Sequence, residues 1–202
     1  TSSNITKYLI YRSTSANATT LVDSTSGAIT YSDTALTHGL TYYYRVKAVD
    51  SDGIKSDYSN ETSTLLATKI GVPGDYSTIQ AGLTAAGTND TVLVQPGTYT
   101  ENIIWPETNG IKLISAGDSS NTIIDGGGVS SVIYMNPQTA TIDTTTLIQG
   151  FQITNGGNSE WENGGGLLIK NSGIKITNCL ISNNTANLYG GGVYLENSLS
   201  TF

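Results

Sequence analysis

Ile148-Gln149-Gly150-Phe151-Gln152-Ile153-Thr154-Asn155 and Ile176-Thr177-Asn178-Cys179-Leu180-Ile181-Ser182-Asn183 match position by position at an offset of 28 residues. A second pair follows. Gly164-Gly165-Gly166-Leu167-Leu168-Ile169-Lys170-Asn171-Ser172 matches Gly190-Gly191-Gly192-Val193-Tyr194-Leu195-Glu196-Asn197-Ser198 at an offset of 26, the difference falling in the segment after the first Asn. Each repeat carries two or three short strands and no helical period. Such a unit cannot bury its apolar side chains alone, so copies must stack into a solenoid. A parallel β-helix meets that demand, with Phe151, Ile153, Ile169, Cys179, Ile181 and Leu195 pointing inward onto their counterparts in the next coil. Asn155/Asn183 and Asn171/Asn197 then stack at the corners, because Asn tolerates the left-handed backbone a sharp corner needs and its amide can bond along the axis.

Working back from the repeats, strands separated by Gly, Asn, Asp and Ser are predicted over 91–95, 98–104, 111–115, 122–125, 131–135, 147–154, 166–170, 174–182 and 192–196. Before them lies the one good helix candidate, 77–87, with Ser77 as cap, Ile79 and Leu83 one turn apart, and Gly87 to end it. Its expected role is to cover the open end of the solenoid, a templating edge if left bare.

The first third of the chain differs. Residues 1–68 hold five basic and six acidic residues, whereas 69–202 hold four basic and ten acidic residues and most of the Gly. The shift across 64–74 marks a domain boundary, giving domains 1–68 and 69–202. Strands are predicted at 7–12, 29–31 and 42–50, the last with Tyr42, Tyr44, Val46 and Ala48 on one face. Asp52-Gly53 turns that strand into the next. Short strands with turn signals and no helical pattern point to a β-sandwich.

Composition excludes several classes. The 202 residues carry a formal charge of −7 with no basic run, which makes nucleic acid a poor partner. No apolar run approaches the ~20 residues that span a bilayer. One Cys allows no intrachain disulfide, and one His leaves histidine-based zinc sites and triads almost no material. The opening residues lack the pattern of a signal peptide and read as the interior of a domain, so a piece of a longer protein is expected.

Leu40 through Asp50, with Gly53 and Ser56-Asp57-Tyr58-Ser59, resemble the last strands of a fibronectin type III domain. The resemblance implies a tyrosine corner at Tyr42, its hydroxyl bonded to backbone near Leu40. It also implies that the first two strands, with the family's buried Trp, precede Thr1. Tyr76-Ser77-Thr78-Ile79-Gln80-Ala81 and Asn89 through Glu101 resemble the N-terminal cap of right-handed parallel β-helix proteins of the pectin-lyase-like superfamily, a likeness covering about 70–202. The Asn183…Gly190-Gly191-Gly192-Val193 pattern also resembles polymorphic outer-membrane repeat proteins, with Leu180 in place of their Phe. The expected fold class is therefore all-β: a partial fibronectin type III sandwich, then a parallel β-helix with a short capping helix, cut partway through a coil at Phe202.

Lyases of that superfamily use Arg or Lys as base with acidic groups holding Ca²⁺, and its hydrolases use clustered Asp. Residues 69–202 contain no Arg and no His, and Asp75, Asp90, Asp118, Asp125 and Asp143 are scattered beside turn residues. No active site is evident in them. Glu160-Trp161-Glu162 is a candidate carbohydrate site: an indole can stack on a pyranose face while carboxylates accept hydroxyl bonds. Tyr189 lies in the matching loop one coil later. The alternative is that Trp161 folds over its own coil. Asp125-Gly126-Gly127-Gly128 reads as a tight turn, one Asp being too few oxygens for Ca²⁺. Trp105-Pro106-Glu107 reads as a loop staple, Cys179 as a small core residue, and His38 as a turn residue without metal partners. The sequons at Asn4, Asn17, Asn60, Asn89 and Asn183 are what a Ser/Thr/Asn-rich chain gives by chance.

The expectation is a monomeric piece of a secreted or cell-surface protein, bacterial by resemblance. Its fibronectin type III module is a spacer, and its β-helix offers a surface to polysaccharide, glycan or an adhesive ligand. No cofactor, metal, nucleic acid or membrane insertion is expected. Two alternatives stay open: a polysaccharide lyase or glycoside hydrolase with catalytic coils after Phe202, and an adhesin stalk with no small ligand.

Overall fold

A computed structural model describes residues 4–34, 36–37, 39–157 and 163–202. The chain divides into two compact units, Thr1–Ala67 and Thr68–Phe202.

The first unit is one antiparallel sheet of four strands, β1 (Ile5–Ser13), β2 (Thr20–Ser26), β3 (Thr41–Asp50) and β4 (Thr62–Leu65), in the order β2-β1-β3-β4. The register sets Tyr8 opposite Ala48 and Ile10 opposite Val46 on one face. On the other, Leu9, Tyr11 and Val49 form a small buried cluster. Tyr58 stands edge-on to Tyr11 at 4.9 Å, with the Lys47 ammonium 4.1 Å from its ring centre. Among the described residues there is no second, facing sheet.

Two expected strands move. Residues 29–31 are not a strand; β2 is, and its mostly exposed positions leave no apolar alternation to read. Ser56–Ser59 runs beside β3 without forming a strand, its Ser56 and Ser59 hydroxyls accepting from Ala48 and Val46 N–H, and β4 takes the edge instead. Tyr42 does anchor the chain before β3, but at Thr37: its hydroxyl accepts that N–H at 2.8 Å. The Leu40 carbonyl is already committed to the Leu66 N–H.

The second unit is a parallel β-helix of three sheets. The first sheet stacks β5 (Lys69–Val72), β6 (Thr91–Val94), β9 (Lys112–Ser115), β12 (Leu147–Gln149) and β15 (Lys175–Thr177). The second stacks β7 (Gly97–Thr100), β10 (Thr122–Asp125), β13 (Gln152–Thr154) and β16 (Leu180–Ser182). The third stacks β8 (Ile103–Ile104), β11 (Ile133–Met135), β14 (Leu167–Lys170) and β17 (Val193–Glu196). All these pairs are parallel and in register, so like positions superpose from coil to coil, one strand spacing of roughly 4.8 Å apart.

The predicted strands 98–104, 147–154 and 174–182 are each two strands. A two-residue corner breaks them at Glu101-Asn102, Gly150-Phe151 and Asn178-Cys179. Gly150 (φ 83°) and Asn178 (φ 53°) are left-handed there, which turns the chain without interrupting the inward run of side chains. Val92, Leu113, Ile148 and Ile176 thus stack along the first sheet, and Ile103, Ile133 and Leu167 along the third, all fully or almost fully buried. Each such side chain contributes about 1.5–3 kcal/mol relative to exposure. Phe151, Ile153 and Ile169 are buried as expected, whereas Leu195, on the last strand described, is 40% exposed.

Helix α1 (Ile79–Ala85) packs Ile79, Gly82 and Leu83 against the first coil. Its cap is Thr78 rather than Ser77, the Thr78 hydroxyl accepting from Ala81 N–H at 3.1 Å. Glu101 accepts from Ile79 and Gln80 N–H, completing the N-terminus. The helix ends at Ala86, not Gly87. Asp90 fixes the exit, one oxygen accepting from Gly87 N–H and the other from Thr68 N–H.

Candidate functional site

Strand alternation that sends Ile133, Met135, Leu167 and Ile169 inward sends their neighbours outward. On the third sheet the outward residues form two columns in register. One is Ile104, Tyr134, Leu168 and Tyr194; the other holds Lys170 opposite Glu196, with Asn136 two residues after Tyr134. Ile104 is 64% exposed and both tyrosines are half-buried, while Leu168, between them, is only 4% exposed. The two tyrosines are two strand spacings apart, roughly 10 Å. Asn136 Nδ2 donates to the Tyr134 hydroxyl at 2.9 Å, and Lys170 Nζ lies 3.1 Å from the Glu196 carboxylate, which pushes the Lys170 pKa up.

A ladder of amides borders these columns. Asn197 Nδ2 donates to Asn171 Oδ1 at 3.2 Å, and Asn171 Nδ2 donates to Asn136 Oδ1 at 3.0 Å. Asn171 and Asn197 are left-handed, with φ 50° each. An amide has two donors and an acceptor with two lone pairs, so each rung keeps unused capacity toward solvent or a ligand.

At the capped end the columns run into a groove of about 580 Å³. Ile104 and Tyr134 lie along it with Gln80, Asn102, Asn136 and Glu107. That volume is within the range of ligand clefts, roughly 300–1,000 Å³. Glu107 accepts from the N–H groups of Gln138, Thr139 and Ala140 and from the Thr139 hydroxyl. These bonds hold its pKa down at about 2, so it staples the 136–140 loop and stays ionised. The indole Nε1 of Trp105, beside the groove, and the Ser131 hydroxyl, in an adjoining hollow, are buried without a hydrogen-bond partner among the described residues. Unmade bonds of this kind cost about 1–3 kcal/mol each and are rare in native folds.

The sequence-predicted residues fall as follows. Glu160, Trp161, Glu162 and His38 lie outside the described residues. Tyr189 is 68% exposed on the loop leading into β17, its N–H donating to Asn163 Oδ1 at 3.0 Å. Asn155 (φ 54°) and Asn183 (φ 53°) are left-handed corners, but their side chains do not bond to each other. Asn155 Nδ2 donates to Asp125 Oδ1 at 2.8 Å, Asp125 being the register partner of Thr154 one position before the corner, and backbone alone links Asn155 N–H to Asn183. Asp125 also accepts from Gly127 N–H, as a turn residue does. No three His, Cys, Asp or Glu side chains converge among the described residues. Cys179 is half-buried, its thiol pKa pushed up by burial.

The outward columns escaped the sequence reading, though their signal was present. The offset-26 alignment already pairs Leu168 with Tyr194 and Lys170 with Glu196.

No family model matches the chain. Over 109 residues it is 35% identical to the amylopullulanase of Thermoanaerobacter thermohydrosulfuricus; the match takes in 54% of this chain but 7% of that protein. Among solved structures, pectate lyase Pel3 from Pectobacterium carotovorum is similar at 13% identity and TM-score 0.27, covering 96% of this chain and 82% of that one. Pectate lyase PelI from Erwinia chrysanthemi, in complex with tetragalacturonic acid, is similar at 16% identity and TM-score 0.21, covering 95% and 81%. The family 28 exopolygalacturonase of Yersinia enterocolitica is similar at 13% identity and TM-score 0.23, covering 85% of this chain and 36% of the enzyme.

Proposed function

We propose that the β-helix is a polysaccharide-contacting module of an extracellular or cell-surface protein, and that the outer face of its third sheet makes the contact. The first unit is a fibronectin type III-type spacer in this reading. The observation that carries it is the pair of columns: an apolar and aromatic stripe through Tyr134 and Tyr194, flanked by Asn136, Asn171, Asn197, Lys170 and Glu196. A sugar ring presents apolar C–H faces and a rim of hydroxyls, and such a surface offers each its complement. The amylopullulanase likeness agrees with a place in a carbohydrate-active protein. No helix is long and apolar enough to cross a membrane among the described residues, which fits a surface or secreted location.

Affinity electrophoresis against a panel of soluble polysaccharides tests the reading. Retardation by at least one polymer, weakened about tenfold in Tyr134→Ala and Tyr194→Ala variants of unchanged circular dichroism, supports it; tenfold corresponds to about 1.4 kcal/mol. Unretarded wild-type protein, or variants that bind as tightly as it does, overturns it.

A further inference from the structure

The charges on this face are arranged in a way that decides which polysaccharides it accepts. We propose that the third-sheet face takes neutral glycans and rejects polyuronates; the inference rests on the polysaccharide-contacting reading above and narrows its substrate class.

A polyuronate carries a carboxylate on each sugar. Binding one requires cations set at the sugar spacing, or a metal ion held between protein and polymer carboxylates. The β-helix unit has four Lys, ten acidic residues and no Arg or His. Its one cation on the outward columns, Lys170, is neutralised by Glu196 at 3.1 Å. At the other end of the face, Glu107 keeps a negative charge in the groove, bonded by N–H and hydroxyl donors with no cation bridged to it among the described residues. A chain of carboxylates laid along the columns therefore runs from a neutralised pair toward an unneutralised anion. Like charge lowers both the encounter rate and the affinity.

Neutral sugars meet no such barrier. A hydroxyl both donates and accepts, and it needs partners that do the same. The Asn136–Asn171–Asn197 ladder and the tyrosine hydroxyls supply them in a row parallel to the apolar column.

The test compares retardation of the full chain by pullulan, xyloglucan and mixed-linkage β-glucan with retardation by polygalacturonate and alginate. Each is run at low salt, with and without added Ca²⁺. The expected result is retardation by at least one neutral polymer, insensitive to NaCl, and at least tenfold weaker retardation by both polyuronates. Equal or tighter retardation by a polyuronate, with or without Ca²⁺, overturns the inference while leaving the polysaccharide-contacting reading in place. Retardation by none of the five polymers overturns that reading, and the inference with it.

Discussion

The side-chain amide of Gln80 is paired with the backbone of Ile104 on both sides: Ile104 N–H donates to Gln80 Oε1 at 2.7 Å, and Gln80 Nε2 donates to the Ile104 carbonyl at 3.0 Å. The amide stands where a further strand would stand, so one helical residue closes the first edge of the third sheet. A bare edge invites pairing with other chains.

Gln80→Ala is expected to cost about 1–3 kcal/mol, because two backbone groups lose their partner. It should also raise the tendency to aggregate. Urea denaturation and light scattering check both; an unchanged midpoint and scattering would show that water replaces the amide without loss.

Asn171 separates backbone from side-chain effects. Asn171→Gly keeps the left-handed corner and loses the amide ladder, an expected loss of about 0.5–1.5 kcal/mol. Asn171→Ala loses the ladder and adds about 1–2 kcal/mol of left-handed strain. Denaturant midpoints should rank wild type above Gly above Ala, with an unchanged slope.

Gly156 sits at the start of the second-to-third corner, where the corner folds back on its own far end above the preceding coil. A Cβ there would strike the Gly165 carbonyl oxygen, with Val132 Cγ2 at 2.9 Å. Gly156→Ala must shift backbone and is expected to lower stability by about 1–3 kcal/mol or more. A melting temperature within a degree of wild type would contradict the close approach.

Glu107 predicts an acid limb. Its carboxyl is near 4.5 when unfolded and is held at about 2 in the fold. A depressed carboxyl contributes stability above the unfolded value and loses it as pH falls toward the folded one. Wild type should therefore lose stability between about pH 4.5 and 2 more steeply than Glu107→Gln, which has no proton to take up. Thermal melts across that range decide it, parallel curves being the contrary result.

Much of the solenoid was legible because its signal is repetition. Stacked Phe151, Ile153 and Ile169 and left-handed Asn155, Asn171, Asn183 and Asn197 follow from two aligned pairs of segments. The three-sheet cross-section was not legible. Gly150-Phe151 and Asn178-Cys179 turn corners in two residues while keeping apolar alternation, so each pair of strands reads as one. The first unit was harder still, since β2 is a largely exposed edge strand with no periodic apolar pattern. The candidate face was hidden for another reason: outward Tyr134 and Tyr194 become neighbours only once the register is known.

The corners of the coil differ in how much chain they spend. The first-to-second corner is two residues at 95–96, 150–151 and 178–179 and six at 116–121, whereas the second-to-third corner grows from two residues at 101–102 to 126–132, 155–166 and 183–192. Length variation there leaves the ladders undisturbed, and lengthening a loop is cheap, about 0.6 kcal/mol for each doubling. That flank is the natural place for the protein to diversify, and for an engineer to splice a foreign loop near exposed Leu188 beside the third sheet.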